Sequence, residues 1–270
     1  MLVVIKGAGD IASGIALRLY HARFAIVMTE IALPTAIRRT VCFSDAISHG
    51  SAVVEGVRAV CAHTAAEAGK LSLAGQIAVL VDPAGACIGP IGPGAVIDAI
   101  LAKRNTGTTI HDAPIVIGIG PGFETGVDCH AVIETQRGHT LGRVITEGGA
   151  LPNTGEPGDI SGYTAERVLR APVDGVFRGV ARISDKLHAD DVVGMVGGEP
   201  VRSAVSGVLR GLLSDGIAVT KGYKCGDVDP RADSSHCFTV SDKALSVGGG
   251  VLEALLRFAP GHTLELREER

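Results

Sequence analysis

The chain has 270 residues, 46% of them hydrophobic, so it can form one large or two modest globular domains and is not intrinsically disordered. Its net charge of −4 argues against nucleic acid as a partner, because a nucleic-acid surface needs clustered Lys and Arg. No run of about 18 apolar residues or cleavable apolar leader is visible, and the six cysteines lack metal-binding spacing. We therefore expect a cytoplasmic protein with reduced thiols, no metal site and no membrane contact.

The first twenty residues predict a strand, a glycine turn and a helix. A β-branched run over 2–6 leads into Gly7-Ala8-Gly9, and helical spacing follows over 15–20. Gly7, Gly9 and Ala12 match the G-x-G-x-x-G/A pattern, in which a dinucleotide pyrophosphate binds amides at a helix N-terminus. Asp10, within the same turn, joins the candidate ligand-binding residues. The alternative is a turn that only packs a helix on a sheet.

A second strand is predicted over 24–28, and acidic and basic residues follow it. Glu30 lies 21 residues beyond Gly9, about where an acidic side chain is expected to accept a hydrogen bond from a ribose hydroxyl. Arg38 and Arg39 are candidates for a phosphate contact, although such a pair is more often a solvated helix face. Glu30 is solvated in the alternative interpretation.

Further strands, alternating with a helix over 64–70, predict a parallel α/β sheet. Their candidate positions are 52–54, 58–60, 76–81, 95–98 and 114–119. Ligands bind such sheets at the carboxyl ends of the strands. Asp82, Asp98 and the glycine loop over 118–122 all follow predicted strands, so we expect them to rim one crevice. Asp82 is equally well explained as a turn residue before Pro83.

Candidate catalytic residues are concentrated over 127–145, with one more near the C-terminus. Cys129 precedes His130, and Arg137 and His139 follow, a set that offers a nucleophile, a base and an anion clamp. Cys237 follows another histidine beside a polar loop. Alternating polar residues on a half-exposed strand, and cysteines buried and inert in an apolar wall, explain the same pattern without catalysis.

An internal repeat with a 32-residue offset relates 170–194 to 202–226. Each copy predicts short strands joined by glycine turns. The pattern resembles the barrel-sandwich hybrid of biotinyl and lipoyl carrier domains. No lysine stands in Gly197-Gly198-Glu199-Pro200-Val201, where a carrier would have its hairpin, so we expect neither biotin nor lipoate.

The predicted fold class is thus α/β, a Rossmann-like parallel sheet with a small all-β barrel-sandwich-hybrid-like domain, biotinyl/lipoyl-like but unmodified. A strand over 237–240 and a helix over 243–258 complete the chain, the helix containing Gly248-Gly249-Gly250. Three central glycines cost helix stability, so we expect another backbone or a ligand against that face. The predicted organisation is a nucleotide-binding domain (1–125), a connecting segment (126–165), a β domain (166–230) and a C-terminal strand and helix that pack on the α/β domain (231–270).

Several motifs together resemble one family. They are Lys6-Gly7-Ala8-Gly9-Asp10, Met28-Thr29-Glu30-Ile31 with Arg38-Arg39, Ile133-Glu134-Thr135 with Arg137-Gly138-His139, Gly226-Asp227-Val228-Asp229-Pro230-Arg231 and Val240-Ser241-Asp242-Lys243-Ala244. In this order they are similar to the YqeB-type accessory proteins of selenium-dependent molybdenum hydroxylases, and more distantly to xanthine dehydrogenase accessory factors. The resemblance implies a role in maturing an apo molybdenum hydroxylase, through its pterin cofactor, its labile selenium or both. It assigns no catalytic residue.

Three functional hypotheses follow. The first is a maturation protein that binds a dinucleotide, with molybdopterin cytosine dinucleotide as a candidate, and aids cofactor or selenium insertion. The second is an NAD(P)-dependent oxidoreductase, because a glycine turn recognises the pyrophosphate and not the group beyond it. The third is a non-enzymatic assembly factor. The sequence decides neither whether a reaction is catalysed nor the oligomeric state.

Overall fold

A computed structural model describes residues 1–155 and 158–259 of the chain. These residues form two compact units, and each is assembled from segments that are distant in the sequence. Among the described residues, unit 1 comprises 1–32, 43–153 and 240–259, whereas unit 2 comprises Leu33–Cys42 and 154–239 apart from residues 156 and 157. Residues 156 and 157, in the predicted connecting segment, lie outside the described residues.

Unit 1 is built on a nine-stranded sheet in the order β3-β4-β5-β2-β1-β6-β7-β8-β9. Its strands are β1 (Leu2–Lys6), β2 (Ala25–Glu30), β3 (Ser51–Val54), β4 (Val57–Ala62), β5 (Ile77–Val81), β6 (Ala95–Asp98), β7 (Ile115–Ile119), β8 (Ala131–Ile133) and β9 (Val144–Ile145). The central strands are apolar on both faces; Val3, Val4 and Ile5 of β1, for example, are all fully buried.

The sheet is mixed, because an antiparallel strand lies at each edge. The seven central strands, in the spatial order β4-β5-β2-β1-β6-β7-β8, all pair in parallel. At the two edges, β3 is antiparallel to β4 and β9 is antiparallel to β8. Glu55 and Gly56 cause the first reversal: both have positive φ angles (47° and 80°), which forms a two-residue hairpin. A connection of two residues cannot join parallel strands. The predicted Rossmann-like parallel sheet is therefore wrong.

Five helices accompany this sheet within the described residues of unit 1. They are α1 (Asp10–His21), α2 (Asp45–His49), α3 (Ala65–Leu73), α4 (Ile88–Ile91) and α5 (Asp242–Phe258). Side-chain caps fix two of their starts: Thr64 accepts a hydrogen bond from the Glu67 amide, and Ser241 accepts one from the Ala244 amide. The helix predicted over 243–258 corresponds to α5, which contacts α1, β7, β8 and β9.

Unit 2 consists mainly of two four-stranded antiparallel sheets, ordered β10-β17-β15-β12 and β14-β13-β11-β16. Their strands are β10 (Val168–Arg170), β11 (Gly175–Gly179), β12 (Lys186–Leu187), β13 (Val192–Val196), β14 (Glu199–Arg202), β15 (Gly207–Leu212), β16 (Ala218–Val219) and β17 (Lys224–Asp229). The unit also incorporates Leu33–Cys42, whose Ile37 carbonyl accepts a hydrogen bond from the Leu212 amide. The predicted combination of a Rossmann-like sheet with a barrel-sandwich-hybrid-like domain is thus replaced by a mixed sheet and two antiparallel sheets.

The strand predicted over 237–240 is absent. A 3-10 turn spans Ser234–Cys237 instead, and an irregular segment leads from it to α5. The Asp233 carboxylate accepts a hydrogen bond from the Ser235 amide and so begins this turn. Local side-chain bonding to the backbone therefore overrides the β-propensity of the following residues. Over the described residues, no helix has both the length and the apolar composition needed to cross a bilayer.

Candidate functional site

The glycine turn after β1 lies at the carboxyl ends of the central parallel strands of unit 1. Gly7 has a φ of +96°, and a Cβ there would lie 2.9 Å from the Ala99 carbonyl oxygen. Its amide donates to the Thr29 carbonyl oxygen at 2.8 Å, which continues the pairing of β1 with β2. The protein's own packing thus requires glycine at position 7.

Gly9 differs from Gly7 in every one of these respects. It is the N-cap of α1, with a φ of −73° that any residue can adopt, and it supplies no side-chain hydrogen bond to the helix. A Cβ at this position would meet no atom within 4 Å. Packing and backbone angles therefore do not require glycine at position 9. The first amides of a helix have no partner within the helix, and in α1 they follow directly after Gly9.

Glu30, at the end of β2, holds the turn in place. Its Oε2 accepts a hydrogen bond from the Ala8 amide at 3.1 Å, and its Oε1 accepts one from the Ile31 amide at 2.8 Å. Ser13 supports the turn from α1 by donating to the Ala8 carbonyl oxygen. Gly7, Gly9 and Glu30, which the sequence singled out separately, therefore lie together, with Asp10 half-buried at the start of the helix and Ala12 buried behind it.

A buried ion pair beneath this turn was not singled out as such from the sequence. Lys6 and Asp98 end the adjacent strands β1 and β6 and are 3% and 1% exposed. The Lys6 ammonium donates to Thr108 Oγ1 at 2.6 Å and lies 3.6 Å from Asp98 Oδ2, which accepts the Thr108 hydroxyl at 2.6 Å. A lysine at the end of an otherwise apolar strand is a signal of such a pair, because a buried charge needs a partner.

Another carboxylate, Glu134, lies directly after β8 and is 2% exposed. Its Oε1 accepts the amides of Thr135 and Gln136, both at 2.7 Å, and its Oε2 accepts the Leu151 amide at 2.9 Å. Glu134 thereby orders the segment that leads to Arg137. These hydrogen bonds use the carboxylate for structure, as expected of a buried acid.

The first turn of α5 brings charged groups to the same part of unit 1. Arg137 is exposed and makes two hydrogen bonds, of 2.8 and 3.0 Å, to the Asp242 carboxylate. Burial, followed by the charge of Arg137, lowers the pKa of the half-buried Lys243, and the charges of Asp10, Glu134 and Asp242 oppose that shift. His139 is exposed in the same segment as Arg137.

The remaining unit 1 candidates have structural partners. Asp82 follows β5, and its carboxylate accepts the Ala86 and Cys87 amides at 3.0 and 2.7 Å. Partial burial alone would raise the pKa of Asp82, but these hydrogen bonds and one from Gly85 lower it overall. Cys129 is completely buried, and burial raises the pKa of its thiol to about 11. Asp82 therefore acts as a turn residue, and a Cys129 thiolate is disfavoured at neutral pH.

Three of the sequence candidates lie in unit 2. Arg38 is buried and donates to the carbonyl oxygens of His236 and Thr239, and Arg39 Nε donates to the Leu212 carbonyl oxygen at 2.9 Å. Cys237 is completely buried, and burial is the main cause of its raised pKa, against the lowering effect of Arg38 and Arg210. The structure thus does not place Arg38, Arg39 or Cys237 in the same unit as the glycine turn.

Unit 2 also contains a network of buried charges. Asp227 binds Arg167 and Arg210, and all three side chains are nearly inaccessible to water. Asp229, in the same strand β17, accepts hydrogen bonds from Arg231 and lies 3.5 Å from Arg210 Nη1. In the part of the chain that the structure describes, no group of three or more His, Cys, Asp or Glu residues is arranged to hold a metal ion.

Comparison with curated proteins decides the family. A protein of Escherichia coli (strain K12), described as uncharacterized protein YqeB, is 52% identical over 255 residues, which is 94% of this chain. The chain is YqeB-type. This confirms the resemblance drawn from the motifs, whereas the association with selenium-dependent molybdenum hydroxylases stays a prediction. The YqeB-type chain spans 47% of that relative's length, so the activity, substrates and partners of the whole protein are matters for proposal.

Other comparisons do not add a function to this YqeB-type chain. No protein-family model matches it. An aspartoacylase family protein from Mesorhizobium loti is 12% identical, with a TM-score of 0.28 and 84% of each chain covered. A succinylglutamate desuccinylase/aspartoacylase from Rhodobacter sphaeroides is 11% identical, with a TM-score of 0.23 over 83% of this chain and 86% of that one. Such TM-scores assign neither a fold nor an activity.

Proposed function

We propose that this YqeB-type chain binds a dinucleotide in unit 1, at the turn formed by Gly7, Ala8 and Gly9, and that it serves as an accessory protein in the maturation of a selenium-dependent molybdenum hydroxylase. The ligand class is supported by the site, and the biological role by the resemblance of the motifs. The two parts are tested separately.

The observation that carries the ligand proposal is Gly9. Gly7 is explained by its positive φ and by the nearby Ala99 carbonyl, but Gly9 has ordinary backbone angles and open space in the direction of a Cβ. Glycine is tolerated at an N-cap, but Ser, Thr, Asp or Asn there would add a side-chain hydrogen bond to the helix that glycine cannot make. Gly9 is explained if a ligand comes close to the backbone there, as a pyrophosphate does when it binds the amides of a helix N-terminus.

The position of the turn in the sheet supports the same proposal. The chain leaves β1 through α1 to reach β2 on one side, and it returns to pair β6 with the other side of β1. Ligands of open α/β sheets bind where the strand order reverses in this way, outside the carboxyl ends of the strands. Glu30 borders this place, and each of its oxygens retains a lone pair for a ribose hydroxyl.

A pterin dinucleotide has the pyrophosphate and ribose that this turn and Glu30 suit, so molybdopterin cytosine dinucleotide is the ligand we favour. The proposed partner is an apo molybdenum hydroxylase that receives the cofactor or its selenium. NAD and NADP have the same pyrophosphate and ribose. Their selective binding would instead favour an oxidoreductase, and the experiment below separates these outcomes.

The test is a thermal-denaturation series with molybdopterin cytosine dinucleotide, CTP, NAD and NADP. A ligand that binds only the folded state at about a hundred times its Kd stabilises it by about 2.7 kcal/mol, so we expect a clear rise in Tm with the pterin dinucleotide. Gly9→Asp should abolish the rise, because its carboxylate would face the phosphates, while Tm without ligand stays near that of the wild type. An unchanged Tm with all four compounds would refute dinucleotide binding.

The maturation role is tested in cells that lack the protein. Activity of the selenium-dependent hydroxylase should be lost and should return with the wild-type chain, in its full-length context, but not with Gly9→Asp. Full hydroxylase activity in the Gly9→Asp strain would separate the maturation role from dinucleotide binding.

A further inference from the structure

Helices α1 and α5 of unit 1 pack so closely that glycines form their contact. A Cβ on Gly14 would lie 3.1 Å from the Ala244 carbonyl oxygen, and one on Gly248 would lie 3.1 Å from Arg18 Cβ. The second contact lies four residues after the first on each helix, from Gly14 to Arg18 on α1 and from Ala244 to Gly248 on α5. The helices therefore run parallel, and their N-termini lie at the same end, next to the glycine turn.

Lys243 is in the first turn of α5, one residue before the contact between Gly14 and Ala244. It lies four residues before Val247 and seven before Gly250, so it continues a buried row of that helix. Side chains on a helix point toward its N-terminus, and Lys243 is level with Ser13, about 4.5 Å along the axis from Asp10. We therefore infer that its ammonium is directed toward the N-terminus of α1. The charge of Asp10, the first residue of α1, raises the pKa of Lys243, which agrees with this direction.

Two of the three acidic groups whose charges act on Lys243 are bound to other groups. The Glu134 carboxylate accepts three amides, and the Asp242 carboxylate is held by both terminal nitrogens of Arg137. Within residues 1–155 and 158–259, Lys243 itself makes no hydrogen bond or ion pair, although burial already lowers its pKa. Its ammonium is not among the buried polar atoms that lack a partner, so it is accessible to solvent and available to a bound anion.

We propose that Lys243 binds a phosphate oxygen of the dinucleotide held at the Gly7–Gly9 turn. The inference rests on the proposed function and adds a contact from α5 that the glycine pattern does not predict. The pyrophosphate would accept hydrogen bonds from the amides of α1 on one side and from the Lys243 ammonium on the other. Such a charge-assisted hydrogen bond is stronger than one between neutral groups.

The experiment measures binding of CDP and cytidine, and of ADP and adenosine, by isothermal titration calorimetry. The proteins are the wild type, Lys243→Ala, Lys243→Arg and the control Lys70→Ala, which removes an exposed lysine of α3 in the same unit. We expect Lys243→Ala to weaken binding of the diphosphate by about ten-fold, the loss of one charge-assisted hydrogen bond. Binding of the nucleosides should not change, and Lys243→Arg and Lys70→Ala should stay close to the wild type.

A pH series adds a readout that a structural role of Lys243 would not give. The charged groups that act on Lys243 are Arg137, Asp10, Glu134 and Asp242. As the pH rises toward the pKa of Lys243, which is lowered from its ordinary value, the ammonium loses its proton, whereas a guanidinium at this position keeps its charge. Wild-type affinity for the diphosphate should therefore fall toward that of Lys243→Ala, and the affinity of Lys243→Arg should remain constant.

The outcomes separate the two proposals. If the wild type binds neither diphosphate nor any compound of the thermal series, the proposed function fails and this inference fails with it. If the wild type binds a diphosphate but Lys243→Ala binds it as tightly as Lys70→Ala does, only the inference about Lys243 is overturned. Equal losses for the diphosphate and its nucleoside would also overturn it, because the effect would not depend on phosphate.

Discussion

The reactivity of the individual cysteines is controlled by burial. All six are free thiols, and only Cys61 is partly accessible. Burial is the main cause of the raised pKa of Cys61, Cys87, Cys129, Cys225 and Cys237, and it raises the pKa of Cys87 to about 12. Because the thiolate is the nucleophile, buried thiols with a raised pKa react slowly. A catalytic role of Cys129 or Cys237, which the sequence offers as candidates, thus requires a change in the surroundings of the thiol.

Iodoacetamide labelling of the native protein at about pH 8, measured for each cysteine by mass spectrometry, tests whether burial determines the reactivity of the thiols. We expect Cys61 to be labelled first and Cys129 and Cys237 to be labelled at least about ten-fold more slowly. Cys61→Ser should remove the fast phase, and labelling in denaturant should be uniform. Fast labelling of native Cys129 or Cys237 would contradict the burial argument and restore that residue as a candidate nucleophile.

For single residues, the sequence located the glycine turn because its determinants are local. Gly7, Gly9 and Glu30 lie within one strand-turn-helix-strand segment, so their spacing is sufficient to bring them together. The pairing of Lys6 with Asp98 depends instead on the register of β1 against β6, which are far apart in the chain. The same limit applies to Lys243, since its proximity to α1 results from helix packing and not from a motif.

At the scale of elements, the three glycines of α5 have different environments. Gly248 faces the backbone of α1, and Gly250 faces the Gly142 carbonyl, so the expectation that another backbone presses on this helix is confirmed at these two positions. A Cβ on Gly249 would meet no atom within 4 Å. The close contact of α5 with its neighbours therefore needs two of the glycines, and the third only weakens the helix.

Substitution of adjacent glycines tests this assignment. Gly249→Ala should raise the free energy of unfolding by about 0.5–1 kcal/mol, because alanine has the higher helix propensity. Gly248→Ala should lower it by about 1–3 kcal/mol, because the methyl group would force α1 and α5 apart. Urea unfolding of both variants and the wild type measures the difference. Equal stabilisation by the two substitutions would contradict the parallel packing on which the Lys243 proposal depends.

Most strands and long helices were predictable from the sequence because apolar periodicity and capping residues act locally. The direction of strand β3 does not follow from the sequence, because the two-residue turn Glu55-Gly56 lacks the Asn or Asp that usually precedes glycine in such hairpins. The strand predicted over 237–240 failed for a related reason, since the Asp233 side chain begins a tight turn that competes with pairing. Short polar connections therefore determine the direction of β3 and the absence of a strand over 237–240, and the apolar runs alone do not predict either.

For the whole molecule, long-range contacts determine how the chain is divided. Leu33–Cys42 belongs to unit 2 because Arg38 and Arg39 donate to carbonyl groups that are more than 170 residues away in the chain. No change in composition marks that assignment. The buried charges are equally non-local: β17 places Asp227 beside Arg167, which precedes β10, and both Asp227 and Asp229 beside Arg210 of β15. These charges make the stability of the chain depend on pH.

Asp229 is the clearest source of that dependence. Burial alone would raise the pKa of its carboxyl group, but hydrogen bonds from Arg231 and the charges of Arg210 and Arg231 hold it well below its usual range. A carboxylate whose pKa is lowered by folding stabilises the protein fully above its unfolded-state pKa of about 3.9. This contribution is lost as the pH falls toward the folded-state value.

Asp229→Asn should therefore lower the free energy of unfolding by about 1.5–3 kcal/mol at pH 7, because it removes the charge from a buried carboxyl group that accepts hydrogen bonds from Arg231 and lies beside Arg210. Below about pH 4 the wild-type carboxylate begins to lose its advantage, so the difference between wild type and variant should shrink. Urea unfolding at several pH values measures this difference, with the exposed Asp190→Asn as a control that should change stability by less than about 0.5 kcal/mol. A difference that stays constant from neutral to acidic pH would mean that the carboxylate charge of Asp229 does not stabilise unit 2, and that its role is only to fill space beside β15.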